Sequence, residues 1–455
     1  MSNATLTAQG KPTKRIILLL DGTWNDQDFG ETDTNIVRIQ KRITAALERR
    51  QATHSTTQEK PAASLDDGTG IPNLIFYERG VGTSYRHRFL GGAFGSDLPD
   101  KVRNAYKFLS FHYEPGAQIF IFGFSRGAYT ARSVIGMVHA AGLLRANDCT
   151  PANEAMAWHY YRTPTNARYP GIWHSLTPYV HSRDQLQISC VGVFDTVGAL
   201  GIPLEGLKVL NRDRYQFHSV ELSSITRLNL HAIAIDEHRK PFEAAIWRKP
   251  KFKQFASVTE QVWFPGVHSD IGGSYIPEVR RHQDNPCALD DITLDWMLRR
   301  VRARYPDFPV DIPPRHYDKN WSLAERHESR RGVYKRFPLT QRSIGNYPTG
   351  GIGWREYNGC YDRHSASIGE KVHISAFERL GARVLTDGRP TQYMPANLID
   401  VLPIIRATYR APNSPSLSGS EIRIVLWSGR ELNPLRSSHC KVALALVQTA
   451  LDRMK

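Results

Sequence analysis

Ile119-Phe120-Ile121-Phe122-Gly123-Phe124-Ser125-Arg126-Gly127-Ala128-Tyr129-Thr130-Ala131-Arg132 is the stretch on which the reading of this chain turns. A run of β-branched and aromatic residues, the composition of a buried strand, stops abruptly at Gly-x-Ser-x-Gly. The residues that follow have helical spacing: Ala128, Ala131, Val134, Ile135 and Val138, with no proline before residue 151. Strand, sharp turn and helix around this pattern describe a nucleophile elbow. Glycines are needed at 123 and 127 because the serine is held on a strained turn, where a Cβ on either side would strike a neighbouring strand or helix. The Ser125 hydroxyl is then expected to stand clear of the sheet, beside the N–H groups and positive end of the helix.

Working outward from the elbow, Arg15 to Leu20 reads as a buried strand that runs into the loop Asp21-Gly22-Thr23-Trp24-Asn25-Asp26. Thr34-Asn35 offers a cap for the helical pattern Ile36, Val37, Ile39, Ile43, Ala46, Leu47. Leu74 to Tyr77 is the next strand, and Val102, Ala105, Tyr106 and Leu109 mark a helix before the elbow strand. This alternation predicts a mostly parallel sheet with helices on both faces and right-handed crossovers, an α/β-hydrolase-like fold. In that fold the second oxyanion donor comes from the loop two strands before the nucleophile. The backbone N–H groups of Thr23 and Arg126 are therefore expected to form the oxyanion hole.

Serine hydrolysis needs a base to take the hydroxyl proton and an acid to orient the base, in the chain order nucleophile, acid, base. Past the elbow, Leu186 to Phe194 is a buried strand ending at Asp195, and Gln261 to Phe264 is a short strand feeding Pro265-Gly266-Val267-His268. Ser125, Asp195 and His268 are the expected triad. Asp236, which also ends an apolar run, is the alternative acid. His231 and His238 are rival bases, although the apolar surroundings of His231 suit a core histidine, and Asp270 is expected to brace the His268 loop. His364, His373 and His439 lack a strand-end context. His268-x-Asp270 with Asp21 or Asp26 has no spacing that compels metal binding, so neither metal nor cofactor is expected.

Composition bounds the rest. The 455 residues are 41% hydrophobic and 23% charged, as in a globular protein. Five scattered cysteines without a C-x-x-C pair argue against a disulfide framework or a zinc site. No run is long and apolar enough for a membrane helix, and no signal peptide is recognised, which predicts synthesis in the cytoplasm. Lys and Arg number 59 against 44 acids, a net charge of +15 that favours anionic partners such as phospholipid headgroups. No nucleic-acid-binding signature accompanies the charge, so nucleic acid is not expected as a partner. The expected organisation is a mobile leader over 1–14, a catalytic core over 15–275, cap or substrate-platform insertions over 276–420, and a strand and helix over 421–455 packing back on the core.

RIILLLDGTWN (15–25), Gly80-Val81-Gly82-Thr83, Gly91-Gly92-Ala93-Phe94-Gly95, GFSRGAYTAR, Phe194-Asp195-Thr196-Val197-Gly198, HAIAIDEHRKPF and VWFPGVHSDIGGSY occur in one order. Together they resemble the catalytic domain of the type VI secretion phospholipase effectors of the first lipase group, strongly over 15–275 and more weakly to about 400. The resemblance implies a Ser-Asp-His triad at Ser125, Asp195 and His268 and hydrolysis of phospholipid acyl esters, a phospholipase A-type activity without cofactor. It also implies a membrane-surface substrate, export by a type VI-like route, and a secretion apparatus and an immunity protein as partners. The effectors it resembles carry large membrane-anchoring modules, for which 455 residues are expected to leave little room. The alternatives are a soluble carboxylesterase for small esters and a non-catalytic, secretion-associated binding module on the same scaffold.

Overall fold

The structure, a computed structural model, describes residues 11–22, 33–54, 65–66, 70–80, 97–163, 167–168, 170–197, 222–247, 257–275, 288–312, 321–332, 335, 339–345, 368–411 and 421–455. Its first strand, β1 (Arg15–Leu20), is buried along its whole length, as a six-residue apolar run bounded by polar residues must be to lie inside a parallel sheet. Then follow α1 (Asn35–His54), the two-residue β2 (Leu65–Asp66), β3 (Pro72–Glu78), α2 (Asp97–His112), β4 (Gln118–Phe124), α3 (Arg126–Ala141), α4 (Pro151–Arg162) and α5 (Pro170–Leu176). Next come β5 (Ile188–Phe194), β6 (Thr226–Ala234), β7 (Val258–Phe264), α6 (His268–Gly272) and α7 (Leu289–Arg304). The chain closes with β8 (Glu370–His373), α8 (Ile374–Arg379), β9 (Arg383–Thr386), β10 (Arg389–Gln392), α9 (Ala396–Arg410), β11 (Arg423–Val425) and α10 (Ser437–Met454).

Nine strands form one sheet in the order β11-β8-β7-β6-β5-β4-β1-β3-β2, and β9 pairs with β10 apart from it. Within the large sheet every pairing is parallel except β2 with β3. The fold is α/β-hydrolase-like, as the alternation of elements predicts. Side chains that alternate along each strand feed two separate layers. Ile16, Leu18, Leu20, Ile119 and Ile121 pack with α2, α3 and α4. Ile17, Leu19, Phe120 and Phe122 pack on the opposite face with α1 and α7. A third cluster joins Trp263 of β7 and Val372 of β8 to α8, α9 and α10.

Within 276–420, the segment expected as cap or substrate-platform insertions, two elements belong to the core. Helix α7 is a layer of the core, and β8 lies inside the sheet between β7 and β11. The cause is legible in retrospect. The apolar residues of α7 surround most of the helix (Leu289, Ile292, Leu294, Trp296, Met297, Leu298 and Val301 are all buried), while arginines crowd its last turns, so no single apolar stripe marks it. β8 has four residues, too few for a period to register. In the last segment, β11 pairs with β8, and α10 buries Ala443, Val447 and Ala450 against α8 and α9.

Candidate active site

Parallel register brings the chemistry to one edge. Leu20 pairs with Gly123, Phe124 with Phe194, Phe194 with Ala232, and Ala234 with Phe264. Five strands thus end on one line, and the loops after them carry Asp21, Ser125, Asp195, Asp236 and His268. Ligand sites of open α/β sheets sit at this carboxyl edge.

Ser125 has φ 58° and ψ −123°, a region that costs a non-glycine residue roughly 1–3 kcal/mol. Its surroundings compel it. The Ser125 N–H donates to Phe194 O at 3.1 Å, and its carbonyl accepts from Tyr129 N–H at 3.2 Å, beginning α3. A Cβ on Gly123 would lie 2.7 Å from backbone atoms of Gly127 and Ala128, and one on Gly127 would lie 2.1 Å from Leu20 O. Strand and helix therefore meet closer than any side chain allows. Arg126 is the first residue of α3, where backbone N–H groups lie beyond the intrahelical ladder. Thr23, the other expected oxyanion donor, falls outside the described residues, as do the glycines at 91, 92 and 95.

His268 opens α6, and its imidazole spans the two other candidates. Its Nδ1 is 2.6 Å from Asp195 Oδ2, and its Nε2 is 2.8 Å from Ser125 Oγ. An ionised carboxylate only accepts, so Nδ1 carries the proton and Nε2 is left to accept from the serine hydroxyl. Phe124 and Phe242 flank the ring with centroids 4.8 and 5.0 Å away, and the His268 backbone N–H donates to Glu237 Oε2 at 3.2 Å. Burial lowers the histidine's proton affinity below the ordinary value, and the neighbouring Asp195 only partly offsets this. The resting imidazole is neutral at pH 7, the state a general base requires.

Asp195 is fully buried with φ 40°. Its Oδ1 accepts from Ala234 N–H at 2.9 Å and from Arg342 Nη1 at 2.6 Å, while Oδ2 accepts from Arg342 Nη2 at 3.0 Å as well as from His268. Burial alone would raise this carboxyl, but the Arg342 guanidinium, and after it His268, holds it far below the usual carboxylate range. No sequence signal marks Arg342. It sits in an arginine-rich segment with no pattern, and nothing local distinguishes it from a surface cation.

The other candidates serve different contacts. Asp236 accepts from Gly266 N–H at 2.6 Å and from the Tyr393 hydroxyl at 2.9 Å; it grips the turn before His268 without reaching the ring. Asp270 accepts from Val267 N–H at 3.0 Å and meets His327 Nδ1 at 2.6 Å. Asp21 binds Gly22 N–H, the Thr34 hydroxyl and the Tyr77 hydroxyl at 2.7, 2.8 and 2.9 Å; burial raises it to about 6 despite those bonds. His231 is buried in β6 and accepts from Thr196 N–H at 3.2 Å. His238 contributes a backbone carbonyl, accepting from Thr340 N–H at 3.0 Å. His373 caps α8, His439 Nδ1 accepts from Asn433 N–H, and His364 is outside the described residues. Among the described residues no group of three His, Cys, Asp or Glu side chains is placed to hold a metal ion, and no helix is long and apolar enough to cross a membrane.

Comparison with known proteins adds the family. The chain is 29% identical over 238 residues to the uncharacterized protein YEL023C of Saccharomyces cerevisiae, a span of 50% of this chain and 32% of that one. A crystal structure of an uncharacterized protein from Pseudomonas aeruginosa is similar at 16% identity and a TM-score of 0.35, over 66% of this chain and 48% of that one. The Tle1 effector bound to the VgrG spike from the type VI secretion system is similar at 19% identity and a TM-score of 0.30, over 57% of this chain and 51% of that one. The chain thus spans about half the length of these solved proteins and a third of the yeast one. The model of the family described as "T6SS, Phospholipase effector Tle1-like, catalytic domain" matches residues 14–300, well over half of the sequence and all of β1 to α6, and the chain belongs to that family.

Proposed function

We propose that this protein is a serine hydrolase that cleaves phospholipid acyl esters by an acyl-enzyme mechanism, a phospholipase A-type activity. The observation that carries the proposal is the unbroken relay from Ser125 Oγ through His268 to Asp195, at 2.8 and 2.6 Å. In the first step His268 Nε2 takes the Ser125 proton as Oγ adds to the ester carbonyl, and the N–H groups of Arg126 and Thr23 bind the oxyanion. The imidazolium then protonates the departing lysolipid oxygen. Water, deprotonated by the same nitrogen, releases the fatty acid and regenerates Ser125. Asp195 holds the tautomer and offsets the imidazolium charge. Phospholipid as the substrate class follows from the family, and the net charge of +15 suits an anionic surface. Delivery by a type VI secretion apparatus, with an immunity protein guarding the producing cell, is the corresponding proposal for its biology.

The test is fatty-acid release from anionic phospholipid vesicles beside turnover of a short soluble ester, for the wild type and Ser125→Ala. The substitution is expected to reduce kcat ~10⁴-fold or more while the fold is retained. Unchanged turnover by Ser125→Ala would sink the mechanism. Turnover of the soluble ester alone would keep the triad and replace the phospholipase by a carboxylesterase. Silence on both, with no labelling of Ser125 by a fluorophosphonate, would favour an idle scaffold used for binding.

A further inference from the structure

A buried, heavily coordinated group at the site is one that the hydrolytic scheme does not use. Arg342 is 6% exposed, and its guanidinium grips both oxygens of Asp195 in a fork, at 2.6 and 3.0 Å. The same group donates from Nη1 to Ala234 O at 3.0 Å and from Nη2 to Phe242 O. The chain on either side of it is anchored too. Thr340 N–H donates to His238 O at 3.0 Å, Leu339 bridges Arg239, Ile344 is buried in the third core cluster, and Gly345 N–H donates to Glu370 Oε2 at 2.9 Å. Glu370 in turn accepts from Trp263 Nε1 at 2.6 Å. A planar fork locked at both ends leaves the carboxylate little rotational freedom.

We propose that Arg342 is a positioning residue of the active site, which fixes the Asp195 carboxylate for His268 Nδ1–H and neutralises part of its charge. The inference rests on the hydrolase reading above. It also places a necessary part of the site outside residues 14–300, the portion that the family match covers. The two roles of Arg342 pull in different directions. Orientation assists His268 in the tautomer that accepts from Ser125. Charge neutralisation weakens the attraction of Asp195 for an imidazolium and keeps the resting His268 neutral to lower pH. The other charged and titratable groups around the pair are Glu237 with its partner Arg239 beside His268, and His231 with Arg132 behind Asp195. All of these remain when Arg342 is replaced.

The experiment uses the full chain with Arg342→Met and Arg342→Lys, measuring kcat and KM on a short soluble ester across pH, with circular dichroism to establish the folded fraction. Arg342→Met is expected to lower kcat about 10–100-fold with KM within about threefold, and to move the acidic limb of kcat/KM upward by roughly 0.5–1 pH unit. Arg342→Lys keeps the charge and loses the fork, so its kcat falls while its acidic limb stays near that of the wild type. A folded Arg342→Met with wild-type kcat and an unmoved limb overturns the proposal. So does a loss that merely tracks the unfolded fraction. Should Arg342→Met fail to fold, Arg342→Lys decides: wild-type kcat there overturns the positioning role. If wild type itself neither turns over ester nor is labelled at Ser125 by a fluorophosphonate, the hydrolase reading fails, a result distinct from each of these.

Discussion

Asp195 and Asp236 close neighbouring strands, β5 and β6, and both are fully or almost fully buried. Their sequence contexts are alike, an apolar run ending in an acid. Their environments drive them apart. Asp195 meets a guanidinium fork and an imidazole, and its carboxyl is held strongly down; Asp236 has a tyrosine hydroxyl, a backbone N–H and Arg326 only at 3.9 Å, and burial wins, raising it. Two acids whose surroundings separate their proton affinities in this way commonly divide roles. A permanently ionised Asp195 suits the support of a transient imidazolium. Asp236 suits the bracing of the Gly266 turn that aims the His268 loop. The lesson is that strand-end position nominates an acid, while the counter-ion selects it.

Breaking this contrast outright should be simplest at Asp195. Asp195→Asn is expected to cost ~10⁴-fold in kcat, and to destabilise the fold by about 3–5 kcal/mol because it strands the Arg342 charge in the interior. Steady-state kinetics and a urea titration read the two effects separately. Asp236→Asn, an almost isosteric change at a carboxyl whose proton affinity is raised, should leave kcat within about tenfold and remove roughly 1–3 kcal/mol of stability. If the two substitutions exchanged their effects, Asp236 would be the acid and the contrast would be reversed.

A finer measurement concerns His231, which lies between the two. Burial, helped by Arg132, lowers its pKa to about 3 from the ordinary 6.5. As pH falls from 6.5 towards 3 the unfolded chain takes up a proton that the folded chain refuses, so stability declines, by up to ~1.4 kcal/mol per pH unit. Asp21, raised to about 6, acts with the opposite sign, its contribution fully present below the unfolded carboxylate value and lost as pH rises through about 6. Comparing urea midpoints at pH 7 and pH 5 for the wild type and His231→Gln isolates the histidine. The variant should lose less stability on acidification, by up to ~2 kcal/mol; an identical loss would show that folding leaves the proton affinity of His231 unchanged.

How much of this was legible beforehand varies along the chain. β1, β4 and β5 are announced by continuous apolar runs, because a strand covered on both faces has nowhere to put polar residues; β3 and β7 carry only the shorter runs 74–77 and 262–264. The glycines at 123 and 127 announce the elbow for a steric reason that a single sequence carries in full. The helical α7 and the strand β8 escaped, one because its apolar residues leave no stripe, the other because it is short. Glu237 was visible only as part of a charged cluster after β6; its contact with the His268 backbone depends on how the β6 and β7 loops lie against each other.

What the amino-acid order determined by itself is therefore the part governed by local backbone physics: the alternation of strand and helix, the strained serine turn, and the sequence of strand-end loops along one edge. What only the tertiary structure decided is which ionisable groups meet there. Asp195 and Arg342 are 147 residues apart and His268 and Ser125 are 143 apart. Their contacts depend on parallel register, on the order β7-β6-β5-β4 within the sheet, and on a segment beyond β7 folding back over its end. Charge acts through space, and its screening or burial is set by whatever the fold packs around it. No spacing along the chain encodes that environment.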